Sequence, residues 1–174
     1  MACILTTGRK LPCKSGVGGL KTVYFADYGT LGAATIATGE VTALAGNPAL
    51  FQFDIKGNSS LETAINSSRE NGTTFYETTL NLTLTFLDKL TQEELKLIAH
   101  ARPHVFVEDY NGNYFVVGLE HGAEVTGGTI VSGAAMGDLS GFTLTMVAQE
   151  TAPPYFITGS VVTGDASATQ ITPN

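Results

Sequence analysis

Tryptophan is absent from these 174 residues, and cysteine occurs only at Cys3 and Cys13. Two thiols ten residues apart do not make a disulfide-stapled scaffold. In a chain with no readable secretion signal, both are expected to stay reduced. The start, MACILTTGRKLPCK, has too short an apolar stretch for such a signal, and its charges follow the apolar residues instead of preceding them. No apolar run approaches the ~20 residues that cross a membrane as a helix. Four N-x-S/T triplets begin at Asn58, Asn66, Asn71 and Asn81. In a chain kept in a cytoplasm they signify strand polarity alone.

Charge is also scarce. Only 14% of residues are charged, and the nine Lys and Arg residues are outnumbered by 16 Asp and Glu. Four cations (Arg9, Lys10, Lys14 and Lys21) precede the first acidic residue, Asp27. All 16 acidic residues and only 5 basic ones follow. An acidic body without a Lys/Arg cluster or aromatic-basic stripes argues against gripping a nucleic-acid backbone. A basic arm on an acidic body suggests docking onto a like copy.

Catalytic and metal-binding signatures are missing as well. His100 and His104 lie four apart but straddle Pro103, and His121 stands alone, so no metal-ligand spacing survives. GVGGL at 16–20 lacks the Lys-Ser/Thr of a phosphate-binding loop. The serine of VSGAAMG is not in a G-x-S-x-G elbow. Glu108, Asp109, Glu120 and Glu124 are the carboxylates from which an acid–base pair would have to come, and sheet carboxylates are more often solvated surface. No enzymatic role, cofactor or metal is expected.

What is present is β pattern. The apolar fraction is 43% and glycine numbers 20, which suits a turn-rich β domain with a real core. LKTVYFAD (20–27) and LFQFDI (50–55) read as strands. Between them residues 28–49 read as a long loop, with a short strand near Glu40–Leu44. SSRENGTTFYETTLNLTLTF (67–86) contains a run of 14 residues from Thr73, roughly 45 Å at about 3.3 Å per residue. Leu80, Leu82, Leu84 and Phe86 alternate with Asn81, Thr83 and Thr85, so one face is apolar and the other hydroxyl-rich.

Asn71-Gly72 predicts a two-residue turn, which sets Leu61 opposite Leu82, Thr63 opposite Leu80 and Glu62 opposite Asn81. Such a ribbon is longer than one domain's core needs. Its outer face, with Glu62, Asn66, Glu70, Glu77, Thr79 and Asn81, is acidic and hydrophilic.

LTQEELKLIAHARP predicts the one helix, with Thr91 as N-cap, Glu94 completing a capping box, and Leu90 and Leu95 as a staple. Leu95, Ile98 and Ala101–Arg102 would form its buried stripe, and Pro103 would end it. HVFVEDYNGNYFVVGL predicts a second hairpin about Asn111-Gly112, with Val107 opposite Val116 and Phe106 opposite Val117. Both its faces are apolar, so a covered sheet is expected, with the helix as the cover. EHGAEVTGGTIV and GFTLTMVAQE are further strands around a small-residue loop. Together these predict seven or eight strands and a mainly β fold. The expected form is a β-sandwich or partly closed barrel with one flanking α-helix and a long β-hairpin. The organisation expected is an N-terminal arm (1–19), a single β domain (20–150) and an extended tail rich in Pro, Thr, Gly, Ser and Ala (151–174).

From the helix onward the order is TQEELKLIAHARP, then VFVEDYNGNYFVVGLEHGAEVTGG, then SGAAMGDLSG, then FTLTMVAQE. This order resembles the tail tube (major tail) proteins of tailed bacteriophages, in particular small structural proteins of phages of Bacteroidota, over about Ser59–Glu150. The resemblance implies six copies in a ring and rings stacked around a channel in the virion, made in the host bacterial cytoplasm. It also implies other tail or neck proteins as partners. DNA would pass without specific binding, and no membrane would be involved. On that expectation Glu62, Asn66, Glu70, Glu77, Thr79 and Asn81 line the channel, and Arg9, Lys10 and Lys14 reach a neighbouring subunit. Two other readings stay open: a head–tail connector or other terminal virion ring, and a monomeric ligand-binding or hydrolytic β domain.

Overall fold

Eleven strands and one helix form in chain order among the residues that the computed structural model describes, which are 8, 9, 14, 16–55, 58–159 and 162. The strands are β1 (Leu20–Ala26), β2 (Ala34–Ala37), β3 (Glu40–Leu44), β4 (Phe51–Asp54), β5 (Ser60–Ser68) and β6 (Thr73–Thr85). The helix α1 (Lys89–His100) follows, then β7 (His104–Asp109), β8 (Tyr114–Val117), β9 (Glu124–Val131), β10 (Gly141–Glu150) and β11 (Tyr155–Ile157). They build two sheets. Sheet A runs β2-β3-β11-β8-β7-β1-β4 and sheet B runs β5-β6-β10-β9. Among the described residues the fold is a mainly β, sandwich-like pair of sheets with one helix, and no barrel closes.

The main core lies between the sheets. Val23 and Phe25 of β1, Val105 and Val107 of β7 and Val117 of β8 meet Leu80, Leu82 and Leu84 of β6 and Phe142, Leu144 and Met146 of β10. These are alternate residues of each strand, as a pleated sheet with one inward face demands. A second core covers the far face of sheet A. It gathers Tyr24 and Ala26, Phe106 and Val116 with Leu31, Val41, Leu50, Ile157 and Val162. Tyr24 and Val41 sit on well-separated strands of one sheet yet share this cluster, so sheet A curls around it. Central β7 is thereby buried on both faces. The second cover is this curl and the segment around Leu31 and Leu50, whereas the helix had been expected there. Instead α1 packs Ile98 and Leu95 into the main core.

The helix starts earlier than its sequence suggests. Asp88, with extended backbone, is the N-cap, and its carboxylate accepts the N–H groups of Leu90 (3.0 Å) and Thr91 (3.3 Å). Thr91 is therefore already inside the first turn, because a carboxylate meets two free N–H groups at once. Ala101 caps the C-terminus, its N–H directed to the carbonyls of Leu97 and Ile98. Ala101 and Arg102 are exposed and do not join the buried stripe; the Arg102 guanidinium lies 4.8 Å over the Tyr28 ring.

Both hairpins pair differently from the two-residue turns expected of them. In the first, Leu61 faces Leu80, Thr63 faces Thr78 and Glu62 faces Thr79, around a four-residue loop, 69–72. Gly72 has φ 62°, while Asn71 does not take the positive φ that a type I′ turn needs; its N–H donates to Ser68 Oγ at 3.3 Å. In the second, Phe106 faces Val116 and Val107 faces Phe115, around the five residues 109–113. Within 28–49 the short strand expected near Glu40–Leu44 is β3, and β2, read as loop, pairs with it in a hairpin, while the segment read as tail contributes β11, parallel to β3 and antiparallel to β8.

Candidate functional site

Sheet B gives the expected long ribbon its setting. β6 runs 13 residues, paired on one side to nine residues of β5 and on the other to all ten of β10. Its inward face is the main core. Its outward face carries Ser60, Glu62, Ala64 and Asn66 of β5, opposite Asn81, Thr79, Glu77 and Phe75 of β6. Thr143, Thr145, Val147 and Gln149 of β10 continue that face, and Glu124 and Thr129 of β9 complete it. Glu62, Asn66, Glu77, Thr79 and Asn81 thus lie together on one polar face, as their alternation implied. Glu70 does not: it sits in the loop at the hairpin tip, because the turn holds four residues. Phe75 is a member that the acidic reading passed over. It is 39% exposed on this face and opposes Asn66.

Hydrogen bonds tie the face across strands. Gln149 Nε2 donates to Glu77 Oε2 at 2.7 Å, and Thr145 Oγ1 donates to Asn81 Oδ1 at 3.0 Å. The hydroxyls of Thr129 and Thr143 meet at 2.6 Å. Cross-strand pairs of this kind order side chains that would otherwise sample many rotamers. The result is a largely polar surface with Glu62, Glu77 and Glu124 as its charges.

The two edges of sheet B, β5 and β9, have no strand partner among the described residues. A groove runs along each on the core-facing side. Under β9 it measures about 610 Å³, between Gln92, Lys96 and Ala99 of α1 and Val125, Gly127 and Ile130 of the strand. Under β5 it measures about 580 Å³ and is bounded by Leu20, Leu61, Thr63, Phe115 and Pro153.

Of the arm cations, Arg9 and Lys14 are exposed, and Lys10 lies outside the described residues. The base of the arm is pinned: Val17 N–H donates to Asn111 Oδ1 at 2.9 Å, and Asn111 Nδ2 donates to the Val17 carbonyl at 2.6 Å. Lys21 is not an arm charge. Its Nζ lies 2.7 Å from Glu108 Oε1, and that hydrogen bond and charge raise its pKa.

Of the carboxylates considered for acid–base work, Glu108 and Asp109 are engaged separately. Glu108 is buried and paired with the exposed Lys21. Asp109 accepts the N–H groups of Asn111 and Asn113 at 2.8 Å each and so builds the second hairpin's loop. Burial pushes its pKa up, but hydrogen bonds from Asn113 and Asn111 outweigh that and hold it low. Glu120 and His121 come near Glu150, with donor atoms within 4.8 Å of one another. Glu150 Oε1 there accepts the backbone N–H groups of Glu120 (3.1 Å) and His121 (2.9 Å), which makes it the brace of that turn.

His104 is structural. It is buried, its Nδ1 bonds the Gly118 carbonyl at 2.5 Å, and its Nε2 accepts the Gly29 N–H at 3.0 Å. Burial lowers its pKa. Among the described residues, no helix is long and apolar enough to cross a membrane. No protein-family model matches this chain, and a search of curated proteins finds no significant match.

Proposed function

We propose that this chain is a virion structural protein that assembles into rings of six, stacked into the tail tube of a bacteriophage. The observation that carries the reading is sheet B: four antiparallel strands, a polar outer face, and both edges open. With an even number of strands, β5 and β9 run in opposite directions. Joining β9 of one copy to β5 of the next therefore continues the antiparallel ladder, and repetition closes it into a barrel without edges. Four strands from each of six copies exceed the roughly 16 at which barrels hold an aqueous channel.

The polar faces would then line that channel. Glu62, Glu77, Asn66, Thr79 and Asn81 would present carboxylates, amides and hydroxyls to passing DNA. Like charge repels the phosphates, so the genome slides without sticking. Arg9, Lys10 and Lys14 reach carboxylates of a neighbouring copy, and other tail or neck proteins meet the ends of the stack. The order of motifs from the helix to FTLTMVAQE, which resembles tail tube proteins, supports the number six.

Negative-stain electron microscopy of the purified protein tests the reading. Tubes with a central channel are the expected result. Single rings that never stack would favour a terminal ring such as a head–tail connector. Particles of monomer size at high concentration would overturn both.

A further inference from the structure

We infer that the groove between α1 and β9 is the seat for the β5 edge of a second copy, whose Ile65 fills it from the core-facing side. This rests on the ring reading and adds to it a specific apolar lock beneath the shared sheet.

Three observations carry it. Ile65 lies on the core-facing side of β5, level with Leu61 in the pleat, yet it is 68% exposed among the described residues. Ile130 of β9 also lies on the core-facing side, opposite buried Phe142, and is 63% exposed. Between Ile130 and the helix lies the groove of about 610 Å³. Each edge therefore shows an uncovered apolar residue on the same side of the sheet.

Direction and pleat fit as well. β5 has nine residues and β9 has eight, and they run antiparallel when the edges of two copies meet. Residues directly opposite in an antiparallel pair share a face. Full-length pairing then brings Leu61 toward Ile130 and Ile65 toward the Val125 end, both under α1. The outward residues of β5, led by Glu62, stay on the polar face. A slip by one residue would turn Glu62 and Ala64 into the groove, so the lock also sets the register. The contact is heterologous: one copy's β5 side enters the next copy's α1 side, which is the geometry that builds rings.

Sedimentation velocity across a concentration series tests the lock, on the full chain and three single variants. Ile65→Asp places a charge in the groove and Ala99→Trp fills it. Ile36→Asp is a control at an exposed isoleucine of β2, far along the other sheet. The parent chain and Ile36→Asp are expected to assemble alike. Ile65→Asp and Ala99→Trp should each raise the concentration needed for assembly about tenfold or more, with circular-dichroism melts unchanged. Normal assembly of both groove variants overturns the lock while leaving the ring intact. A parent chain that stays monomeric overturns the ring and the lock together.

Discussion

Ile65 stands opposite Tyr76 on the core-facing side of sheet B, beyond the reach of the other sheet. Two rungs inward, Leu61 opposes fully buried Leu80. Between them the hydroxyls of Thr63 and Thr78 meet at 3.0 Å, so Ile65 and Tyr76 form a separate rung beyond a polar pair. Ile65 is 68% exposed there, and this is the surface that the proposed neighbouring copy would cover.

The helix cap is the simplest local test. Asp88→Ala removes the acceptor for two N–H groups and should cost about 1 kcal/mol of stability. Thr91→Ala should cost much less, since Thr91 lies within the first turn. Chemical denaturation of both variants checks the order, and an equal or reversed loss would return the cap to Thr91.

Acid should loosen the fold through His104. Its ring is held neutral between the Gly118 carbonyl and the Gly29 N–H, stacked on Tyr28, with Arg102 over that same Tyr28 and Glu150 as the nearby acid. Burial depresses its folded pKa below the ordinary 6.5. The unfolded chain thus takes up the proton first. Stability is full above about pH 6.5 and falls as pH drops below it toward the folded pKa. His104→Gln should flatten that slope in a series of melts from pH 7.5 to 5. A slope unchanged by the variant would remove His104 from the account.

How far the sequence discloses this structure depends on which signal is asked. Alternation places β10, β6 as far as Thr85 and five of the six polar-face residues, because a period of two assigns faces whatever the loop length; Phe86, expected on the apolar face, leaves the strand with φ 71° and is exposed, and Glu70 falls in the loop. Alternation could not set the first hairpin's register, since 69–72 in place of 71–72 shifts pairing by two residues and leaves every face unchanged. The second hairpin differs by one residue from the Asn-Gly reading, because Asp109 gathers the N–H groups of Asn111 and Asn113 in a local turn that the Asn-Gly signal alone does not contain. β11 was missed because three residues after two prolines carry too little pattern; its strand exists through pairing with β3 and β8. Glu62 and Glu77 were legible as face residues. Phe75 on that face, and the grooves under β5 and β9, need the sheets in space.

Gly141 marks where β10 enters sheet B. A Cβ there would lie 2.0 Å from the Leu84 carbonyl oxygen. The neighbour is backbone and cannot step aside cheaply. Gly141→Ala should lower stability by about 1–3 kcal/mol, read from the denaturant midpoint. A midpoint equal to the parent's would mean that β10 and β6 sit farther apart.

Arm and face should respond oppositely to loss of charge. Neutralising Arg9, Lys10 and Lys14 to Gln should weaken association and reduce its dependence on salt. Glu62→Gln with Glu77→Gln should leave association intact and increase retention of DNA. Sedimentation across a salt series, with a DNA-binding assay, separates them. Dissociation of the glutamate pair beside normal assembly of the arm variant would reverse the two roles.

The most direct test of the account is the mass of the native particle, measured by light scattering on the purified chain over a range of concentrations. The chain weighs 18.2 kDa. Closure of sheet B through β5 and β9 predicts a closed ring, the resemblance puts its number at six copies, and longer stacks are expected as concentration rises. A single species at 18.2 kDa throughout the range would contradict it.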